Sequence, residues 1–90
     1  MQVEWDPGKA EENWRKHRVH FVEAANVLLD PGAMTQQDPS AQGEQRFVTV
    51  GMDLLGRILT VAYTYRGERP RLISARRATR KERQQYEHQR

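Results

Sequence analysis

The sequence contains no cysteine and no apolar run that approaches the roughly 20 residues of a membrane-spanning helix. Without cysteine there is no disulfide framework, thiolate zinc site or cysteine nucleophile, which is consistent with a cytoplasmic protein. The opening residues, 1–6, are acidic and short of apolar side chains, so we do not expect a secretory signal. A length of 90 residues excludes a two-domain enzyme and predicts one small domain, residues 1–90, with a modest core.

Two further absences limit the chemistry. The six glycines stand singly, so the sequence has no glycine-rich phosphate loop. The three histidines, His17, His20 and His88, lack a recognisable metal-ligand spacing. We therefore expect no metal site and no cofactor, and any chemistry must use Arg, Lys, His, Tyr and Glu side chains.

Positive charge is concentrated at the carboxyl-terminal end. Residues 1–65 carry six Lys/Arg and nine Asp/Glu, whereas residues 66–90 carry nine Lys/Arg, eight of them arginine, and three Asp/Glu. The segment is either a solvated basic tail or a surface for a polyanion or an acidic protein.

Local patterns predict two amino-terminal helices. Asp6 followed by Pro7 is a typical helix start, and the helix is expected to run to His17. A second helix is predicted from about Phe21 to Leu29, with Phe21, Ala24, Ala25 and Leu28 on one face, because Asp30-Pro31-Gly32 then ends it.

Alternation and turn residues predict an antiparallel sheet. We expect three main strands joined by short turns, over Arg46–Met52, Arg57–Tyr65 and Arg69–Ser74. Short strands are also predicted over Gln2–Trp5 and, at an edge, over Ala33–Thr35; residues 35–43 are predicted to be loop.

The chain closes with a predicted basic helix. Thr79 and Glu82 have capping-box spacing, and the helix is expected to reach about His88. Because Tyr86 is its only large apolar residue, the helix should lie loosely on the sheet or dock on a partner. The fold class is therefore α+β: an amino-terminal strand and two helices packed on one face of an antiparallel sheet, with a carboxyl-terminal basic helix.

The first candidate site is the pair Arg76 and Arg77, expected between the last strand and the helix cap. Adjacent residues of an extended segment point to opposite faces, and the amides of a helix start favour anions. Phosphate recognition is one interpretation; the alternative is that one arginine pairs with a carboxylate at the edge of the core.

Two other groups are candidates. Lys16 and His17 form an acid/base or phosphate-binding pair, unless His17 only interacts with the free carbonyls of its helix end. Arg57, Tyr63 and Tyr65 share a strand face by parity, which suits a platform for a stacked base; the alternative is that both tyrosines belong to the core with their hydroxyls at the rim.

Several segments resemble the BrnT toxins. They span nearly the whole chain: Val3–Pro7, Lys9, Asn13, Lys16–Ala24, Glu44-x-Arg46, Gly56–Leu59 and Ile73–Arg83. The last segment is the most specific. The sequence departs from the family pattern at Arg18, where a glycine is common.

The resemblance implies a function and a partner. BrnT proteins are the toxins of bacterial type II toxin–antitoxin pairs, with a RelE-like fold and a metal-independent ribonuclease activity that inhibits translation. Their antitoxin, BrnA, carries a ribbon-helix-helix DNA-binding domain, and the complex represses its own operator.

The implied reaction is attack of a ribose 2′-hydroxyl on the adjacent phosphorus. In this scheme Arg76 and Arg77 stabilise the phosphorane and Arg57 makes a second phosphate contact. Lys16 and His17 are weaker acid/base candidates, and we expect Tyr63 and Arg80 to contact RNA. The alternative from another class is a non-catalytic module that binds the antitoxin and acts as a co-repressor.

Overall fold

The computed structural model describes residues 2–39 and 43–89. Their helices and strands are, in chain order, α1 Pro7–His17, α2 Phe21–Ala24, a 3₁₀ helix Ala25–Leu29, β1 Met34–Gln37, β2 Phe47–Met52, β3 Ile58–Arg66, β4 Arg69–Arg77 and α3 Arg80–His88. The α+β class is confirmed.

The first helix has the predicted bounds. The carboxylate of Asp6 accepts a hydrogen bond from the Lys9 amide at 3.0 Å, and Pro7 occupies the first turn. The helix ends at His17, and the next residue, Arg18, has a left-handed backbone with φ 57°. The Arg18 guanidinium lies 5.2 Å from the centre of the Trp14 ring. A left-handed residue at this position reverses the chain toward α2.

The second helix starts where predicted but tightens after Ala24. In a 3₁₀ helix every third residue lies on one face, so Phe21, Ala24 and Val27 form the buried row, at 2%, 0% and 0% exposure. The expected face is confirmed for Phe21, Ala24 and Leu28, which packs against the core, but it missed the fully buried Val27, and Ala25 is only partly buried. The prediction assumed the α-helical period throughout.

The sheet has the order β1-β2-β3-β4 with antiparallel neighbours, which confirms the three main strands. The predicted edge strand Ala33–Thr35 is present as β1, which extends to Gln37, so the prediction of loop is wrong over residues 36–37; part of that predicted loop, residues 40–42, lies outside the described residues. The predicted strand Gln2–Trp5 is reduced to one parallel bridge, between Glu4 and Arg71.

The last strand is longer than predicted. β4 continues three residues past Ser74, so that Arg76 pairs with Thr60 and Arg77 with Leu59. Both arginines therefore belong to the strand rather than to a linker before the helix. The register slips between Ala62 and Tyr63, which leaves Ile73 as the extra residue of a β-bulge on β4.

The two faces of the sheet have different coverings. One face carries Leu59, Val61, Leu72 and Ala75 and packs on Val19 and the row of the second helix. The opposite face, at the Thr60–Arg76 pair, contacts Glu82 of α3. The expectation that only one face is covered is therefore wrong.

The closing helix docks on its own chain. The Tyr86 side chain is 1% exposed, and its hydroxyl donates to Asp30 Oδ2 at 2.6 Å. One large apolar residue is enough to hold α3 on the sheet, because the Arg76–Glu82 ion pair fixes the other end of the helix. In the described ranges the longest helix has 11 residues, and none is long and apolar enough to cross a bilayer.

Candidate functional site

Arg76 is bound by a carboxylate of α3. Its guanidinium nitrogens donate to the two carboxylate oxygens of Glu82 at 2.8 and 3.1 Å, and Glu82 also accepts from the Thr60 hydroxyl and the Thr79 amide. The hydrogen bonds from Arg76 lower the pKa of Glu82 to about 2, against the opposing effect of partial burial, and the same bonds raise the pKa of Arg76. For Arg76 the structure thus shows the alternative of an internal ion pair.

Arg57 is held between two carboxylates. It donates to Asp53 Oδ2 from Nε at 2.9 Å and from a terminal nitrogen at 2.7 Å, and that terminal nitrogen lies 3.2 Å from Glu23 Oε1. Asp53 is buried and also accepts from the backbone amides of Leu55 and Arg57. Burial tends to lower the pKa of Arg57, but its hydrogen bonds to Asp53 and Glu23 outweigh burial and raise that pKa. The result is a guanidinium held by two carboxylates, with its charge compensated.

Arg77 and Arg57 line a common cavity where β4 meets α3. The cavity has a volume of about 330 Å³, and its walls come from Met52, Gly56, Arg57, Ile58, Arg77, Ala78, Arg83 and Glu87. Arg77 is exposed and, among the described residues, has no carboxylate within ion-pair distance. Three arginines and one glutamate therefore line one cavity.

Sequence reasoning missed the two other charged residues of this cavity. Arg83 and Glu87 are four residues apart on α3, so they lie on the same side of the helix. That spacing is visible in the sequence and would have suggested a paired cation and carboxylate next to Arg77. What the sequence does not show is that this side of α3 faces the end of β4.

Lys16 and His17 lie in a different cavity. It has a volume of about 190 Å³ between α1 and β4 and is lined by Lys9, Glu12, Asn13, Lys16, His17, Ile73 and Ser74. No lining residue is shared with the Arg77 cavity within the described ranges. The five predicted catalytic residues are therefore divided: Arg57 and Arg77 meet, Lys16 and His17 meet elsewhere, and Arg76 faces Glu82.

The expected aromatic platform is mostly core. The Tyr63 side chain is 5% exposed, stacks on Phe47 at 5.9 Å, and shares a 2.8 Å hydrogen bond with the Thr49 hydroxyl. Tyr65 is 48% exposed. Arg57 precedes β3, whereas both tyrosines lie in its second half, so the three side chains do not form one surface. Arg80, the other predicted RNA contact, is exposed at the start of α3.

Comparison with known proteins supports the resemblance. Residues 5–82 match the family model described as "Ribonuclease toxin, BrnT, of type II toxin-antitoxin system". The chain belongs to this family. The matched range covers α1 and β4 and ends at Glu82, before Arg83 and Glu87 of the junction cavity.

A solved structure has the same fold. The crystal structure of the Brucella abortus ribonuclease toxin BrnT superposes with a TM-score of 0.66 at 24% sequence identity, and the match covers 89% of this chain and 99% of that chain. At this identity the likeness supports the fold. Comparison with curated protein sequences gives no significant match.

Proposed function

We propose that this BrnT-family chain is a metal-independent endoribonuclease that cleaves RNA in the cytoplasm and inhibits translation, with residues 1–90 as one RelE-like domain. The observation that supports this most directly is the cavity at the β4–α3 junction, where Arg77, Arg57 and Arg83 surround a space of about 330 Å³. Cleavage by 2′-hydroxyl attack needs charge stabilisation at phosphorus and a proton acceptor. The residues that line this cavity include arginines for the first and a glutamate for the second.

Arg77 and Arg83 are the proposed phosphate ligands. When the ribose 2′-oxygen bonds to phosphorus, negative charge accumulates on the equatorial oxygens, and guanidinium donors stabilise that state more than the starting diester. Arg57 contributes less charge because Asp53 and Glu23 already compensate it. Because two carboxylates hold its side chain in place, Arg57 forms a fixed part of the cavity wall that orients the phosphate.

Glu87 is the proposed general base. A base must lie within hydrogen-bond reach of the proton that it removes, and Glu87 is the carboxylate in the lining of this cavity. The 2′-hydroxyl proton passes to Glu87, the 2′-oxygen bonds to phosphorus and the bond to the 5′-oxygen breaks. The 5′-oxygen takes a proton from water, and the proton on Glu87 neutralises the resulting hydroxide. The products are a 2′,3′-cyclic phosphate and a 5′-hydroxyl.

The other predicted residues receive different roles in this proposal. Arg76 is a positioning residue, since its contact with Glu82 holds the start of α3 on the sheet and so places Arg83 and Glu87. Lys16 and His17 contact the RNA outside the catalytic cavity. Arg80, exposed at the start of α3, is a further RNA contact.

The test is cleavage of RNA in EDTA by the wild type and two arginine variants. Arg77→Gln should lower kcat by about 100-fold, because one donor to the developing charge is lost. Arg69→Gln removes the same charge from the exposed start of β4, outside the cavity, and should change kcat less than about 3-fold. Full activity of Arg77→Gln would show that the site is elsewhere. Activity that is lost in EDTA and returns with magnesium would contradict metal independence.

For the partner, we propose a BrnA-type antitoxin with a ribbon-helix-helix domain, whose complex with this chain binds operator DNA. Membership of a type II toxin family implies an antitoxin. The β2–β3 turn offers two exposed leucines, Leu54 and Leu55, at 84% and 65% exposure, which suit a protein interface. Co-expression with the neighbouring gene should yield a complex, and Leu54→Ser with Leu55→Ser should weaken it.

One observation favours the second candidate, a non-catalytic co-repressor. Arg76 and Arg57, two of the three arginines expected at phosphorus, are already bound by carboxylates. In that case the chain would bind the antitoxin and would leave RNA intact under all the conditions above. The cleavage assay therefore separates the two candidates.

A further inference from the structure

We propose that a third cavity, at the bulge of β4, binds a phosphodiester of the RNA strand away from the bond that is cut. The identity of the bound phosphodiester as RNA depends on the proposed function. The cavity has a volume of about 180 Å³ and is lined by Lys9, Glu44, Arg46, Thr64, Arg66, Arg71, Leu72 and Ile73. It shares no lining residue with the Arg77 cavity in the described part of the chain.

Four cationic side chains from separate segments converge on this cavity. Lys9 comes from α1, Arg46 from the residue before β2, Arg66 from the end of β3 and Arg71 from β4. Like charges brought together from distant parts of a fold repel one another unless a counter-charge is present. Arginine forks in particular match the oxygens of a phosphate.

Carboxylates only partly balance these cations. Glu44 lies in the wall, and Glu4 accepts from Arg71 at a long 3.4 Å. In the described residues neither Arg46, Arg66 nor Lys9 has a carboxylate within ion-pair distance. The cavity therefore keeps a net positive charge and favours an anion.

Arg46 provides a second, independent observation. Its Nε is buried and makes no hydrogen bond within the described structure. A buried donor without an acceptor destabilises the fold, and such donors are rare in native proteins. A phosphate oxygen bound beside Arg46 would supply the acceptor once the guanidinium turns toward the cavity.

The position of the bulge connects this cavity with the Lys16–His17 cavity. Ile73, the bulged residue, and Lys9 line both. A bulge bends its strand and re-aims neighbouring side chains, and bulges are frequent beside binding sites. The two cavities thus form one path along the β4 edge, which an extended phosphodiester backbone can follow from Arg46 past Lys9 to Lys16.

The experiment measures binding without cleavage. The probe is a fluorescent single-stranded RNA with a 2′-O-methyl group on every ribose, and its affinity is followed by anisotropy over a range of salt concentrations. We compare Arg66→Gln and Arg46→Gln with Arg69→Gln. The control lies in the same β3–β4 hairpin and loses the same charge, but it does not line the cavity.

If the cavity holds a phosphate, Arg66→Gln and Arg46→Gln should each weaken binding about 10-fold. Each should also reduce the salt slope by about 0.7, the value for one single-strand phosphate contact. Arg69→Gln should weaken binding less than about 3-fold. Should Arg46→Gln fail to fold, the exposed Arg66 still carries the test.

The outcomes distinguish the two proposals. Equal loss of affinity in all three variants would mean diffuse electrostatic attraction and would overturn the phosphate cavity. The same conclusion follows if Arg66→Gln binds like the wild type while the wild type cleaves RNA. Specific loss in Arg66→Gln, with no cleavage of unmodified RNA by the wild type, would support the cavity and overturn the ribonuclease mechanism instead.

Discussion

The Asn13 side chain binds both backbone groups of Ala75. Its Nδ2 donates to the Ala75 carbonyl at 2.8 Å and its Oδ1 accepts from the Ala75 amide at 3.0 Å, while Nδ2 also donates to the Val19 carbonyl at 3.0 Å. One amide thus takes the place that a neighbouring strand would have beside β4. It fixes α1 to an edge that would otherwise be open for pairing.

Replacing this amide should destabilise the fold. Asn13 is 5% exposed, so Asn13→Ala leaves three buried backbone groups without partners and should lower the free energy of unfolding by about 2–4 kcal/mol. Urea unfolding followed by circular dichroism measures this loss. Glu12→Ala, at the exposed neighbouring position, should cost less than about 0.5 kcal/mol. A loss below 0.5 kcal/mol in Asn13→Ala would show that water replaces the amide.

Short sequence patterns were sufficient to predict the helix starts and turns, which are determined by residues close together in the chain. The helix start at Asp6, the capping box of Thr79 and Glu82, and the turns between the main strands each depend on at most four neighbouring residues. Those predictions are confirmed. The 3₁₀ segment after Ala24 was not predictable in this way, because its tighter period depends on packing against the sheet.

Long-range contacts account for what the sequence could not show about the site. Glu82 is predicted as a cap from residues 79–82, but its bonds to Thr60 and Arg76 depend on the register between β3 and β4. The same register carries Arg76 and Arg77 to opposite faces of a strand that was expected to end at Ser74. The sequence itself shows that arginine is concentrated near the end of the chain. That Arg77 and Arg57 line one cavity depends on the fold.

Replacement of Arg18 by glycine should destabilise the fold less than its replacement by a β-branched residue. Its φ of 57° lies in the left-handed region, which costs an L-residue roughly 1–2 kcal/mol and glycine almost nothing. Loss of the contact with Trp14 offsets roughly 0.5–1 kcal/mol of that gain. We expect Arg18→Gly to melt within a few degrees of the wild type and Arg18→Val to be less stable than Arg18→Gly by about 1–2 kcal/mol. Equal stability of the two variants would mean that the turn relaxes.

The ion pair of Glu82 with Arg76 should make stability depend on pH in the acidic range. The pKa of Glu82 is lowered from 4.5 to about 2 in the fold, so its stabilisation is fully present above pH 5 and is lost as the pH falls from about 4.5 to about 2. The Arg76 side chain is 40% exposed, which limits the effect to roughly 1–2 kcal/mol.

Unfolding of the wild type and Glu82→Gln, measured from pH 7 to pH 2, should show a difference that shrinks toward zero at the acidic end. Glu68→Gln, on the exposed β3–β4 turn, is the control and should differ little from the wild type at any pH. A Glu82→Gln difference that stays constant over this range would mean that the variant loses hydrogen bonds and that the charge of the carboxylate does not matter. The ion pair would then have no part in holding α3 on the sheet.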